Sequence, residues 1–132
     1  MANRAAAIDV GLKRIGTAIS PDGKIAIPQN PIFRKNREQA AKEVSRFLDE
    51  WGIDTLVVGI PDGKSKEEMK RRIEHFVSLL DFNGEVVYVD EGYTSHEAKE
   101  ATKGVMKHKK DGRLDSVAAA KILERWLDSS RI

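Results

Sequence analysis

Residues 5–20 read Ala5-Ala6-Ala7-Ile8-Asp9-Val10-Gly11-Leu12-Lys13-Arg14-Ile15-Gly16-Thr17-Ala18-Ile19-Ser20. Only Gly11-Leu12-Lys13-Arg14 separates two short apolar runs, Ala5 to Val10 and Ile15 to Ser20, and that spacing predicts a hairpin. Pro21-Asp22-Gly23 signals a second turn, and Lys24 to Ile27 resumes a strand that can continue to Phe33. The chain therefore opens with a three-stranded antiparallel meander. An acid, Asp9, stands inside the first strand, where a carboxylate is costly unless it is paired or bound to a cation.

Downstream of the meander the hydrophobic period changes from two to 3.6. Asn36 opens a helix with Gln39 three residues on, as a capping box requires, and Gly52 ends it after the stripe Ala40, Val44, Phe47, Leu48, Trp51. Thr55 to Gly59 is a continuous apolar strand of the kind buried on both faces. Ser65 with Glu68 caps a second helix, with stripe Met69, Ile73, Phe76, Val77, Leu80, and Asn83-Gly84 terminates it. Glu85 to Asp90 is a further strand of buried type. Thr94 with Glu97 caps a short helix, and Gly112 to about Asp128 forms the last. Two βα crossovers after a meander demand parallel pairing for the later strands. The expected fold is thus α/β, a mixed five-stranded sheet with helices on both faces.

Composition bounds the function. The chain has 132 residues, 40% hydrophobic and 33% charged. It is expected to form a single domain, residues 1–132, without a linker or internal repeat. Cysteine is absent, which excludes a disulfide scaffold, a thiolate zinc site and a cysteine nucleophile, and suits a reducing cytoplasm. No segment is long and apolar enough to be a signal peptide or membrane span, so no membrane partner is expected. Lys+Arg is 23 against Asp+Glu 21, so any affinity for nucleic acid must come from how charge is distributed.

Three acidic positions bear on chemistry. Asp9 lies at the end of the first strand. Asp90-Glu91 ends the fifth. Asp115 begins the stripe Asp115, Ala119, Ile122, Trp126, whose other members are apolar, so it should face inward near a helix N-terminus. The plainer readings are a turn-capping acid for Asp9 and a dipole-favoured acid for Asp115. Together, however, they form a three-carboxylate cluster, in which each pair about 4 Å apart repels by roughly 4 kcal/mol at an effective dielectric of 20. Hard oxygen donors without histidine or cysteine select Mg²⁺ or Mn²⁺, and two such ions can drive phosphodiester hydrolysis. His75, His96 and His108 are too scattered for a zinc site.

Four motifs in this order resemble the YqgF family, also called RuvX, the Holliday-junction-resolvase-like proteins and pre-16S rRNA nucleases. They are Asp9-Val10-Gly11-Leu12-Lys13-Arg14-Ile15-Gly16, Val58-Gly59-Ile60-Pro61, Asp90-Glu91-Gly92-Tyr93-Thr94-Ser95 and Asp115-Ser116-Val117-Ala118-Ala119. The resemblance runs nearly end to end. It implies an RNase H-like fold and metal-dependent hydrolysis of structured RNA or branched DNA, either precursor 16S rRNA 5′-end processing or junction resolution. Carried over by position, the catalytic and metal-binding acids fall on Asp9, Glu91 and Asp115, with Asp90 a further candidate ligand. Two departures touch the substrate side. Gly92 stands where the family usually has arginine, and Asp62-Gly63-Lys64-Ser65 shortens a loop that usually carries Asn-Met-Asp-Gly.

Basic residues suggest how substrate is held. Lys13 and Arg14 follow Asp9 closely. Lys99, Lys103, Lys107, Lys109, Lys110 and Arg113 lie between Glu91 and Asp115, and Arg34, Lys35 and Arg37 form a smaller third patch. Expected substrate contacts are Lys13, Arg14, Thr94, Ser95, Lys107, Lys109 and Lys110. Aromatic residues are only 6% and form no ladder, which favours recognition of duplex or junction shape over single-strand stacking. Gly59 to Gly63 is one residue short of a Walker A loop. An actin-like phosphate turn would need a second domain. The competing function is a non-catalytic nucleic-acid- or protein-binding module. On either reading the protein is expected to be a monomer or a homodimer.

Overall fold

A computed structural model describes residues 4–61, 66–90 and 113–129, with 113–115 as backbone alone. The elements are β1 Ala5–Val10, β2 Arg14–Ser20, β3 Ile27–Phe33, α1 Arg37–Glu50, β4 Thr55–Ile60, α2 Lys66–Ser78, β5 Glu85–Asp90 and α3 Arg113–Ser129. The strands form one sheet in the order β3-β2-β1-β4-β5. β1 pairs antiparallel with β2, and β2 with β3, whereas β1–β4 and β4–β5 are parallel. The expected mixed five-stranded sheet is the one observed.

Strand alternation splits the core into two layers. Ala6, Ile8, Leu56, Val58 and Ile60 point to one face, where they meet Ala40, Val44 and Leu48 of α1 and Ile73 and Phe76 of α2. Ala5, Ala7, Ala18 and Val57 point to the other, under Ala119, Ile122, Leu123 and Leu127 of α3. Burial of each large aliphatic or aromatic side chain in the first layer contributes roughly 1.5–3 kcal/mol. The second layer is different in kind. Alanine on sheet and helix alike lets α3 lie close to β1 and β2.

Local signals set most boundaries. Asn36 Oδ1 accepts from the Gln39 backbone N–H at 2.7 Å, and Gln39 Oε1 accepts in turn from the Asn36 backbone N–H at 3.3 Å. At the other end of α1, Gly52 adopts φ +60°, the left-handed conformation that closes a helix. Asn36→Ala should cost about 1 kcal/mol in chemical denaturation.

Three expectations are corrected. β3 begins at Ile27 rather than Lys24, because the Asp22 carboxylate accepts from the N–H groups of Lys24 and Ile25 and holds them in a turn. β3 is also an edge strand, which is why it accommodates Pro28 and Pro31. β5 is not buried on both faces: it forms the opposite edge, with Glu85, Tyr88 and Asp90 exposed. α2 ends at Ser78, before Asn83-Gly84. Leu79 and Leu80 instead close a tighter turn onto the carbonyls of Phe76 and Val77, while Gly84 crosses so near Asp54 that a Cβ would lie 2.3 Å from its carbonyl oxygen. Ser65 and the helix expected at Thr94 fall outside the described residues.

One buried side-chain polar atom among the described residues lacks a hydrogen-bond partner, the hydroxyl of Ser20. An unsatisfied buried hydroxyl is destabilising, so Ser20→Ala should raise unfolding stability by about 1 kcal/mol. An unchanged denaturation midpoint would refute it.

Candidate active site

The three parallel strands β1, β4 and β5 end on one edge of the sheet, with Ile8, Val58 and Tyr88 in one row. Asp9 stands one residue further along. Ile8 and Val10 face α1 and α2, so alternation turns Asp9 to the α3 face. Its antiparallel partner there is Gly16. On the other side the pairing of β1 with β4 ends at Ile8 and Val58, so Asp9, half-buried, lies just past the last paired row, opposite a residue that has no side chain.

The first turn of α3 is fixed over the same region. Ser116 is 2% exposed, and its Oγ accepts the Thr17 backbone N–H at 3.4 Å. The bond falls where the pairing of β2 with β3 shifts register between Ile15 and Thr17. Bulges leave ladder groups in need of other partners, and the Thr17 hydroxyl likewise turns aside to donate to the Asn30 carbonyl at 2.9 Å. Residue 115 therefore belongs to a helical turn anchored one residue from Gly16, which is the cross-strand partner of Asp9. At the other side of the sheet Arg125 Nη1 donates to the Asp90 carbonyl at 3.0 Å, tying α3 to the end of β5.

Asp90 itself is placed differently. Val86 of β5 packs with the α1–α2 layer, so Tyr88 and Asp90 share that face, and the Asp90 carboxylate lies 3.8 Å from Lys66 Nζ at the start of α2. By alternation it faces away from Asp9. Arg14 shares the α3 face with Gly16 and Asp9, while Lys13 is exposed in the β1–β2 turn. That turn is closed by Gly11 N–H to the Arg14 carbonyl at 3.0 Å, and a Cβ on Gly11 would come within 2.6 Å of the same oxygen.

Glu91, Thr94, Ser95, Lys107, Lys109, Lys110 and the Asp115 side chain lie outside the described residues. Among the described residues no three acidic or histidine side chains gather into a metal-holding group. Sequence reading alone missed Ser116 and Thr17. The available signal was a serine that follows Asp115 directly on a helix otherwise rich in apolar residues.

Sheet order and helix placement define an RNase H-like fold. Thermus thermophilus RuvC, solved in complex with a Holliday junction substrate, superposes with a TM-score of 0.61 over 97% of this chain and 96% of its own, at 12% identity. The fowlpox virus Holliday junction resolvase gives 0.55 over 96% and 99%, at 17% identity. Sequence comparison narrows the class. The family described as RuvX, Holliday junction resolvase, matches residues 3–129, and the chain belongs to that family. It is 64% identical, over 92% of its length and 96% of the relative's, to a Sulfurovum protein named "Putative pre-16S rRNA nuclease". A Campylobacter lari protein of the same name is 53% identical over 86% and 88%. Among the described residues no helix is long and apolar enough to cross a membrane.

Proposed function

We propose that residues 1–132 act as one metal-dependent nuclease domain on structured nucleic acid, with the precursor of 16S rRNA as substrate. The observation that supports this most is the placement of Asp9. It stands on the α3 face at the carboxyl edge of the sheet, opposite Gly16, one strand from the anchored helical turn that carries residue 115. Ligands of open α/β sheets gather at that edge. Curated relatives named for pre-16S rRNA favour RNA over junction DNA.

Asp9, Glu91 and Asp115 would hold Mg²⁺ or Mn²⁺. The donor set fits, because every candidate ligand is a hard carboxylate and cysteine is absent. Such ions, when bound, supply activation of water and stabilisation of the leaving oxygen. The chain's own residues do the positioning. Ser116 fixes the register of α3 over β2, and alternation sets Arg14 on the Asp9 face, where a guanidinium can hold a phosphate. Lys13 in the exposed turn, with Thr94, Ser95, Lys107, Lys109 and Lys110, would extend the contact along the backbone.

The test is Mg²⁺ and Mn²⁺ titration by calorimetry, followed by cleavage assays on precursor rRNA and four-way DNA junctions. The expected result is metal binding and metal-dependent RNA cleavage; the absence of both leaves the binding-module reading. A Lys107/Lys109/Lys110 triple alanine variant should bind RNA more weakly at all sequences, with a salt slope lower by roughly one unit per lost phosphate contact. An unchanged slope would show those lysines to be solvated surface.

A further inference from the structure

Across the sheet from Asp9, on the α1–α2 face, a cavity of about 210 Å³ opens between the β1–β2 turn, the start of α1 and α2. Its inner wall is apolar, made by Val10, Ile73 and Phe76. Arg34 stands over the Phe76 ring with its guanidinium carbon 5.3 Å from the centroid. The Gly11 carbonyl accepts from Arg34 Nη1 at 2.6 Å, so the guanidinium plane is pinned as one side of the cavity. Arg37 and Arg72 stand at the rim, both exposed. Glu68 pairs with Arg72 at 2.8 Å, but Arg37 has no ion pair among the described residues. Partial burial, and then the charge of Arg37, pull the Arg34 pKa below the ordinary arginine value. Leu12, 73% exposed, projects from the turn beside this opening.

We propose that this cavity takes one unpaired nucleotide of a nucleic-acid strand, with its base against the Arg34–Phe76 pair and its phosphate at Arg37 and Arg72. The volume exceeds the roughly 150 Å³ that holds one benzene ring, so a planar base fits. Unstacked bases lodge on aromatic rings and arginine planes, and a guanidinium already seated on an aromatic ring offers its second face. Phosphate relieves the crowding of Arg34 and Arg37, which share no carboxylate. Leu12 gives the sugar or the base edge an apolar contact at the mouth. One seat of this kind needs no aromatic ladder. The position also suits a strand bound at the proposed active site, on which reading the inference rests. Val10 and Gly11 line the cavity and follow Asp9 directly in the chain, so a strand crossing the edge of the sheet passes from one to the other.

The experiment measures binding in EDTA, by anisotropy, to a blunt RNA duplex and to the same duplex with a short single-stranded overhang containing 2-aminopurine. Wild-type protein is expected to prefer the overhang by about tenfold and to change the 2-aminopurine emission. Arg37→Ala, at an exposed position, and Met69→Trp, which fills the cavity, should each remove that preference while blunt-duplex affinity stays within about twofold. Circular dichroism confirms that each variant folds. Equal wild-type affinity for the two duplexes, or a preference that persists in both variants, overturns the proposal. So does adenosine 5′-monophosphate binding without any overhang preference, which would assign the cavity to a free nucleotide. Because no metal is present, overhang preference without cleavage in parallel Mn²⁺ assays rejects the nuclease reading alone, and cleavage without overhang preference rejects this one alone.

Discussion

Asp9→Asn is expected to abolish metal-dependent cleavage, by on the order of 10²-fold or more, while RNA binding in EDTA is retained. The substitution keeps shape and removes charge at a position whose cross-strand partner, Gly16, has no side chain to take over the role. Asp115→Asn should match it in activity, and Asp9→Asn/Asp115→Asn should be no worse than either alone, since residues that act as a unit are not additive. Stability separates the explanations for Asp115. If it shares a metal site, the Asn variant is as stable as wild type or slightly more so without metal, because repulsion among the acids falls. If it is merely a helix-terminal acid, the change costs up to about 1 kcal/mol and activity is untouched. Thermal melts with and without Mn²⁺, run beside the cleavage assay, distinguish the two.

Ala119→Leu is expected to destabilise the protein by about 1–3 kcal/mol and to lower cleavage at least tenfold without altering an acid. Ala119 is fully buried against a sheet surface built from Ala5, Ala7 and Ala18. A larger side chain there has no space to enter, so α3 must rise or tilt, and its first turn moves away from Thr17 and from the end of β1. Restoring activity with a compensating Ala18→Gly would strengthen the case. Full activity in a destabilised Ala119→Leu protein would show that helix height over the sheet does not set the site.

Much of the fold was legible because its signals are local. The Asn36–Gln39 box and the left-handed Gly52 define α1 within a short window of sequence, and both are found as read. The hairpin at Gly11 likewise needs no distant information. Errors came where a neighbour decides. Glu85 to Asp90 has the composition of a central strand, yet its place at the sheet edge is a property of strand order. Lys24 and Ile25 carry no sign that the Asp22 side chain will hold them in a turn. At the candidate site, Asp9 stands out in the sequence as a carboxylate inside an apolar strand, whereas the orientation of Asp90 away from it follows from Lys66 and the register of β4 with β5. The cavity was not legible at all, because it joins residues 10–12, 34–37 and 69–76, which only packing brings together.

The Ser116–Thr17 bond joins residues 99 positions apart. Contacts so distant in sequence form late in folding, after nearer ones have offset their loop entropy. During synthesis from the amino end the meander and the α1–α2 layer emerge long before α3. Until residues 113–129 are made and docked, the alanine face of β1 and β2 is bare and Asp9 lacks the helical turn that carries residue 115. On the proposed assignment, a nascent chain therefore lacks part of its metal-holding set until residues 113–129 have docked.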